Sequence, residues 1–205
     1  MEQNFVITIG RQLGAGGLLL AEELGRRLGV PVYNKELINE AARSSGLSPE
    51  LFEKADEHQS NVTPVGTGIW GFGSLTTPGY INNDTLFELQ SKAIEELAER
   101  GSCIIVGRCA DYVLREHPRL LSIFVTANEE ERVARLVGKC GKCEKECRAT
   151  IAATERRRSS YYNYYTFKTW GAAESYDLSL NSSLLGIEGC AAVAEAALRE
   201  LLKHK

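Results

Sequence analysis

Short runs of apolar, β-branched residues alternate along this chain with longer segments whose apolar residues recur at helical spacing. The runs that predict buried strands are residues 5–9, 30–33, 103–106, 120–125 and 176–180. The segments that predict helices lie around residues 20–28, 35–45, 86–97 and 190–202. Strands that alternate with amphipathic helices are typical of an α/β domain with a mainly parallel sheet.

Residues 61–81 differ from the rest, because five glycines surround Ile69, Trp70 and Phe72 there. This composition predicts a long surface loop or a mobile arm, with disorder as the alternative. The chain has 205 residues, 43% of them hydrophobic and 25% charged, as expected for one soluble globular domain with a lid or arm inserted. It contains no apolar run near the ~20 residues of a membrane span and does not begin like a signal peptide. We therefore expect a cytoplasmic protein and exclude the membrane, exported, disordered and collagen-like classes.

The six cysteines are expected to be reduced thiols, since nothing in the sequence indicates export. Cys103 opens an apolar run and Cys190 lies on an apolar helix face, so both are predicted to be core residues. The other group, Cys140, Cys143 and Cys147, is spaced like part of a metal site. Zinc usually takes four ligands and no fourth one is evident, so no metal is predicted.

A glycine-rich turn follows the first predicted strand and precedes the first helix, which is where phosphate-binding loops occur. Backbone amides in such a turn converge on anionic oxygens, and the helix N-terminus adds a partial positive charge. The full phosphate-loop signature also has a lysine and a hydroxyl residue, but Gly17 and Leu18 stand at those positions. Arg11 is the only nearby cation and can supply the charge. The alternative is a tight strand-to-helix turn without a ligand.

Residues 139–168 form a basic island of net charge +5 in a chain whose total is −3. The guanidinium groups of arginine bind phosphate oxygens in pairs and keep their charge, so the island indicates an anionic partner. Arg132 and Arg135 lie three residues apart just before it, on one face of a predicted helix. Aromatic residues follow the arginines from Tyr161 to Trp170, a mixture that can also bind single-stranded nucleic acid. A solvated basic helix with aromatics packed on the core is the plain alternative.

Six segments of the chain, taken together, resemble the cytidylate-kinase-like family of P-loop nucleoside monophosphate kinase relatives. These segments are residues 7–17, 32–38, 56–57, 105–112, 155–162 and 176–182. The resemblance implies a three-layer P-loop NTPase-type fold with a five-stranded parallel sheet flanked by helices. It implies one domain over residues 1–205, with an acceptor-binding arm near residues 46–81 and a lid with its following helix near residues 139–170. It also implies transfer of the γ-phosphate of ATP to CMP, dCMP or a related small acceptor, with Mg²⁺, and small nucleotides as partners.

The resemblance also implies roles for individual residues. The donor phosphates would lie on the loop residues Gly14, Ala15, Gly16, Gly17 and Leu18. The acceptor would lie against Asn34, Arg108, Asp111 and Glu155. Catalytic charge would come from Arg11, Arg132, Arg135 and Arg158.

This sequence departs from authentic cytidylate kinases at the loop lysine and hydroxyl, and at Asn34, Cys109 and Glu155, where aspartates are usual. Losing one charge aimed at a transferring phosphate can cost several kcal/mol of barrier. The hypotheses are therefore a phosphotransferase, a catalytically weak or inactive nucleotide-binding relative, and a single-stranded nucleic-acid binder. The acidic remainder of the chain makes nucleic acid the least favoured partner.

Overall fold

Five parallel strands form the sheet of this protein in a computed structural model, which describes residues 4–44 and 83–204. The strands are β1 (Val6–Arg11), β2 (Val32–Tyr33), β3 (Cys103–Val106), β4 (Leu120–Thr126) and β5 (Leu178–Asn181). Their order across the sheet is β2-β3-β1-β4-β5, and every neighbouring pair is parallel. The predicted α/β class and the five-stranded parallel sheet are confirmed.

Seven helices connect and flank these strands in the described residues. They are α1 (Gly17–Leu28), α2 (Lys35–Ser44), α3 (Asn83–Glu99), α4 (Ala110–Val113), α5 (Glu129–Cys140), α6 (Glu144–Thr166) and α7 (Ser182–His204), with a 3₁₀ turn at Ala173–Ser175. The long helix α6 contains most of the basic island. The predicted arm over residues 46–81 lies outside the described residues.

Alternation of side chains along the strands gives the sheet two buried faces. On one face, Ile7 and Ile9 of β1 pack with Ile123 of β4 against α1 and α7. Thr8 and Gly10 belong to the other face, where Phe124 lies against Gly10. Cys103 and Cys190 are buried as predicted. No helix in the described ranges is both long enough and apolar enough to cross a bilayer.

The last strand begins two residues later than the sequence predicts. Asp177 precedes β5 and accepts hydrogen bonds from the amide and hydroxyl of Ser122, at 2.8 and 2.6 Å. The ring of Tyr176 packs against Phe124 at a centroid distance of 4.9 Å. A backbone hydrogen bond of 3.0 Å from the Asp177 amide to Ser122 O, together with these side-chain contacts, therefore holds the part of the apolar run that precedes β5.

The chain divides into two compact units, Met1–Lys35 with Ile94–Lys205, and Glu36–Ala93. The first contains the whole sheet and every predicted site residue. In the second, the side chain of Gln90 donates a hydrogen bond of 2.9 Å to Asn39.

Candidate functional site

The glycine-rich turn lies at the carboxyl edge of the parallel sheet, between β1 and α1. Gly14 and Gly16 have φ values of 81° and 82°, a left-handed conformation that other residues rarely adopt. A Cβ atom on Gly14 would lie 2.7 Å from the carbonyl oxygen of Arg132. The path of the backbone therefore requires both glycines, and the close approach of α5 also requires Gly14.

Side chains from three helices hold the carbonyl groups of this turn. Three arginines and one serine donate these bonds: Arg158 to Arg11 O at 3.0 Å, Arg132 to Leu13 O at 3.0 Å, Arg135 to Gly14 O at 3.1 Å, and Ser182 to Ala15 O at 2.7 Å. Arg132 and Arg135, which the sequence predicts to point at one site, both reach this loop.

The held carbonyls determine where the amides of the loop point. In a planar trans peptide the C=O and N–H groups point in opposite directions, so the amides of Gly14, Ala15 and Gly16 face away from the donors that hold the carbonyls. Of these three amides, only that of Ala15 has a backbone acceptor in the described part of the chain, the Gln12 carbonyl at 3.4 Å. Gly17 and Leu18 open α1, and the first amides of a helix lack intrahelical acceptors. Such an arrangement fits an anion.

Arg11 fills the space that a side chain at position 17 would need. A Cβ atom on Gly17 would lie 2.6 Å from Cβ and 2.8 Å from Cγ of Arg11. The guanidinium of Arg11 extends to the backbone of Gly107, just after β3. The Arg11 side chain, from the end of β1, therefore occupies the space that a lysine at the usual position in α1 would need.

Arg132 and Glu155 form an ion pair between α5 and α6. Their nearest charged atoms, Nη2 and Oε1, are 2.5 Å apart, and the Arg132 side chain is almost completely buried. Arg158 is half-buried, and burial together with Arg157 lowers the pKa of its guanidinium. Three of the four arginines predicted to be catalytic, all except Arg11, thus hold the loop from its carbonyl side. Glu155, predicted to bind the acceptor, neutralises one of these three.

A second group of predicted residues follows β3. Gly107, Arg108 and Cys109 have consecutive positive φ values of 80°, 57° and 54°, and two of these residues carry side chains. Such backbone strain is often concentrated at functional sites. Burial raises the pKa of the Tyr161 hydroxyl to about 12, and the charge of the nearby Arg108 partly offsets that rise.

Asp111 is buried close to this strained turn. It accepts a hydrogen bond of 2.7 Å from the hydroxyl of Tyr162 on α6. Burial raises the pKa of Asp111, and the bond from Tyr162 partly offsets that rise. Asn34, the other predicted acceptor residue, follows β2, which pairs with β3. Predicted acceptor residues thus follow β2 and β3, while the glycine-rich loop follows β1.

The aromatic residues from Tyr161 to Trp170 are mostly half-buried or, in the case of Tyr162, buried. Phe124 makes an edge contact with Trp170 at 5.2 Å, and Tyr162 stacks on Tyr176 at 5.7 Å. Phe167, at 90% exposure, is an exception, as is Tyr164. Buried rings cannot stack on nucleobases, which argues against a nucleic-acid interface along this segment.

Sequence reasoning missed Ser182, which is buried at the start of α7. Its hydroxyl donates to Ala15 O and accepts a hydrogen bond of 3.1 Å from Arg135. A polar residue directly after a predicted parallel strand was the available signal, because the carboxyl ends of such strands meet at one edge.

The side chains at this site offer few ligands to a metal ion. Leu18 has no oxygen at the position of the usual magnesium-binding hydroxyl. Within residues 4–44 and 83–204, no three His, Cys, Asp or Glu side chains are arranged to hold a metal.

Comparison with known proteins places this geometry in context. The sequence model described as the cytidylate kinase-like family matches residues 6–184. A comparison with functionally curated proteins gave no match.

Solved structures share the fold. An uncharacterized protein from Eubacterium ventriosum ATCC 27560 has 22% identity, with 96% of this chain and 98% of that chain covered, and a TM-score of 0.71. A gluconokinase from Sinorhizobium meliloti 1021 has 14% identity, coverage of 98% and 95%, and a TM-score of 0.57. The shikimate kinase from Bacteroides thetaiotaomicron has 17% identity, coverage of 98% and 99%, and a TM-score of 0.53.

Proposed function

Because the chain belongs to the cytidylate kinase-like family, we propose that it is a phosphotransferase that moves the γ-phosphate of ATP to CMP, dCMP or a related small acceptor. The observation that carries the proposal is the glycine-rich loop whose carbonyls are held by Arg132, Arg135 and Ser182. Amides turned away from those donors can bind phosphate oxygens without rearrangement of the loop.

The donor phosphates would lie on the amides of Gly14 to Leu18. Arg11 would supply the positive charge that a loop lysine usually gives, since its guanidinium reaches the turn after β3. The Arg11 side chain passes Gly17 of the loop, and its guanidinium lies beside Gly107, next to Arg108 in the strained turn. A fixed cation there would stabilise negative charge on the phosphoryl group during transfer.

The acceptor would be held by Arg108 and Asp111, with Asn34 beside them. An acceptor oxygen would attack the γ-phosphorus, the bond to the β–γ bridging oxygen would break, and ADP would leave. Mg²⁺ bound with ATP would neutralise phosphate charge during this transfer. We propose that Arg132, Arg135, Arg158 and Glu155 act mainly by holding the loop, and that residues 139–170 form a lid that excludes water.

The test measures ADP formation by the full chain with ATP, Mg²⁺ and a panel of acceptors. The panel contains CMP, dCMP, UMP and AMP, with shikimate and gluconate included because structural neighbours carry those names. We expect turnover with a cytidine nucleotide. Folded protein that forms no ADP with any acceptor would overturn the proposal.

Arg11→Ala tests the assigned cation. Removing one preorganised charge donor typically lowers kcat by roughly 10²–10³-fold. Arg26→Ala is the matched control, since Arg26 lies exposed on α1 and pairs with Glu23. Equal activity of the two variants would remove Arg11 from the mechanism.

A nucleotide-binding relative without turnover is the second candidate. It is favoured by Leu18, and by guanidinium groups that already bond to the loop carbonyls. Calorimetry separates the two candidates, because the second expects saturable ATP or CMP binding with no product.

A further inference from the structure

Three thiols meet at the corner where α5 turns into α6. Cys140 ends α5, Cys143 is the N-cap of α6, and Cys147 lies one turn into that helix. Cys140 and Cys143 are exposed, whereas Cys147 is buried. The corner therefore combines accessible sulfur with a sulfur that is fixed in place.

Cys140 and Cys147 interact electrostatically across the corner, and the Leu136 side chain packs on the cluster that contains Cys147. The Cys140 thiol also donates a hydrogen bond of 2.7 Å to Leu136 O. The Cys147 thiol donates one of 3.8 Å to Lys142 O. Leu136 thus lies beside both cysteines, since its carbonyl accepts from Cys140 and its side chain packs on the Cys147 cluster.

Cys143 has a different role at the same corner. Its side chain accepts a bond from the backbone amide of Glu146, and the Glu146 carboxylate accepts one of 3.2 Å from the Cys143 amide. This reciprocal capping holds the sulfur of Cys143 at the end of α6. It leaves Cys140 and Cys147, which both border Leu136, as the other two thiols of the corner.

We propose that Cys140 and Cys147 form a reversible disulfide that joins the end of α5 to the beginning of α6. The oxidant is a hydroperoxide. The exposed Cys140 thiolate attacks a peroxide oxygen, the O–O bond breaks, and a sulfenic acid forms while water or an alcohol leaves. The sulfur of Cys147 then attacks the sulfur of Cys140, the S–O bond breaks, and the leaving hydroxide takes the proton of Cys147 as water. The two thiols lose two electrons, which reduce the peroxide.

The position of this pair connects it to the phosphate loop. Cys147 packs with Val133 and Ile151, and Leu13 of the loop packs on the same cluster. Oxidation would draw the sulfur of Cys147 toward Cys140, so the cluster beneath Leu13 would have to repack.

Peptide mapping tests the proposal directly, because trypsin places each thiol on its own peptide. Cleavage after Lys139, Lys142, Lys145 and Arg148 gives peptides 140–142, 143–145 and 146–148. The folded full chain is treated with hydrogen peroxide, its remaining thiols are alkylated, and the digest is analysed without reductant. We expect peptide 140–142 joined to peptide 146–148, and loss of this product after dithiothreitol. The proposal is overturned by a crosslink that contains peptide 143–145, or by alkylation of all three thiols after peroxide treatment.

Serine variants provide the controls. Cys143→Ser keeps a good helix cap and should leave the crosslink unchanged. Cys140→Ser changes an exposed residue and should abolish the crosslink while the protein still folds. As a second readout, peroxide should raise the thermal unfolding midpoint of the Cys143→Ser protein, but not that of Cys140→Ser, and reductant should reverse the rise. An equal rise in both variants would contradict the assignment.

Discussion

The side chain of Arg11 occupies the space above Gly17, so that a Cβ atom on Gly17 would lie 2.6 Å from Cβ of Arg11. Two positions six residues apart therefore compete for one volume beside the loop. This relationship explains in steric terms why the chain has a glycine where phosphate loops usually have lysine.

Gly17→Ala should destabilise the fold. The new methyl group would overlap Arg11, and overpacking of this kind typically costs about 1–3 kcal/mol. Gly138→Ala is the matched control, because that glycine lies in α5 with nothing within 4 Å of the added Cβ and should gain about 0.5–1 kcal/mol. Urea unfolding of both variants measures the difference, and equal midpoints would contradict the crowding.

Moving the positive charge from position 11 to position 17 should reveal energetic coupling between these two positions. Gly17→Lys alone brings a second cation into a filled space, so we expect weaker ATP binding than in the native chain. Combined with Arg11→Ala, the same lysine gains room and should bind ATP more tightly than Arg11→Ala alone. Calorimetry on the four proteins gives a double-mutant cycle, for which contacting residues typically show about 0.5–3 kcal/mol of coupling. Additive effects would show that the positions are independent.

Comparing Gly14→Ala with Gly29→Ala separates the cost of the close contact with Arg132 from the cost of backbone strain. Gly14 and Gly29 both have positive φ, and giving such a residue a side chain costs roughly 1–2 kcal/mol. Only at Gly14 would the new Cβ also meet backbone, 2.7 Å from Arg132 O, whereas nothing lies within 4 Å at Gly29. Denaturant unfolding should therefore show a loss for Gly14→Ala that exceeds the loss for Gly29→Ala by about 1–3 kcal/mol. A larger loss at Gly29 would refute this ranking.

Ser182→Ala should weaken ATP binding more than it slows turnover. The change removes the donor to Ala15 O and an acceptor of Arg135, and an unpaired buried polar group costs about 1–3 kcal/mol. Because Ser182 acts through the loop, KM for ATP should rise while kcat changes less. Ser183→Ala removes a bond to the Asn128 amide instead and serves as the control. A fall confined to kcat would count against this positioning role.

Asp111 should make the protein less stable as pH rises through its pKa. Burial raises that pKa above the 3.8 of an ordinary aspartate, so the folded state holds the proton more tightly than the unfolded chain. The Asp111→Asn variant has no carboxyl group at this position to ionise. The difference between the unfolding free energies of the native chain and of this variant should therefore fall as pH rises from about 4.

Glu23→Gln provides a control, because the contribution of Glu23 to stability should depend on pH in the opposite direction. Hydrogen bonds from Arg26 and Arg27 lower the pKa of Glu23 from 4.5 to about 2. Its contribution to stability should therefore be complete above pH 4.5 and be lost as pH falls towards 2. Equilibrium unfolding across acid pH measures both differences, and parallel slopes would contradict the two assignments.

The sequence pattern was sufficient for β1, β3 and β4, because buried parallel strands appear as short continuous apolar runs. The start of β5 was wrong by two residues, since bonds from Ser122 to Asp177, 55 positions away, decide where pairing begins. The glycine turn was predicted from local chemistry. The path of Arg11 to Gly107 and the role of Ser182 were not, because both depend on side-chain directions between distant segments.

The bonds that hold the loop carbonyls also affect the kinetics of encounter with an anion. Their donors come from α5, α6 and α7, so the loop becomes ordered when the helices dock, before any ligand arrives. An incoming phosphate therefore meets a surface whose conformational entropy was already lost during folding. Association at this loop should proceed without a slow rearrangement step, and its rate should depend on ionic strength because charge steers the approach.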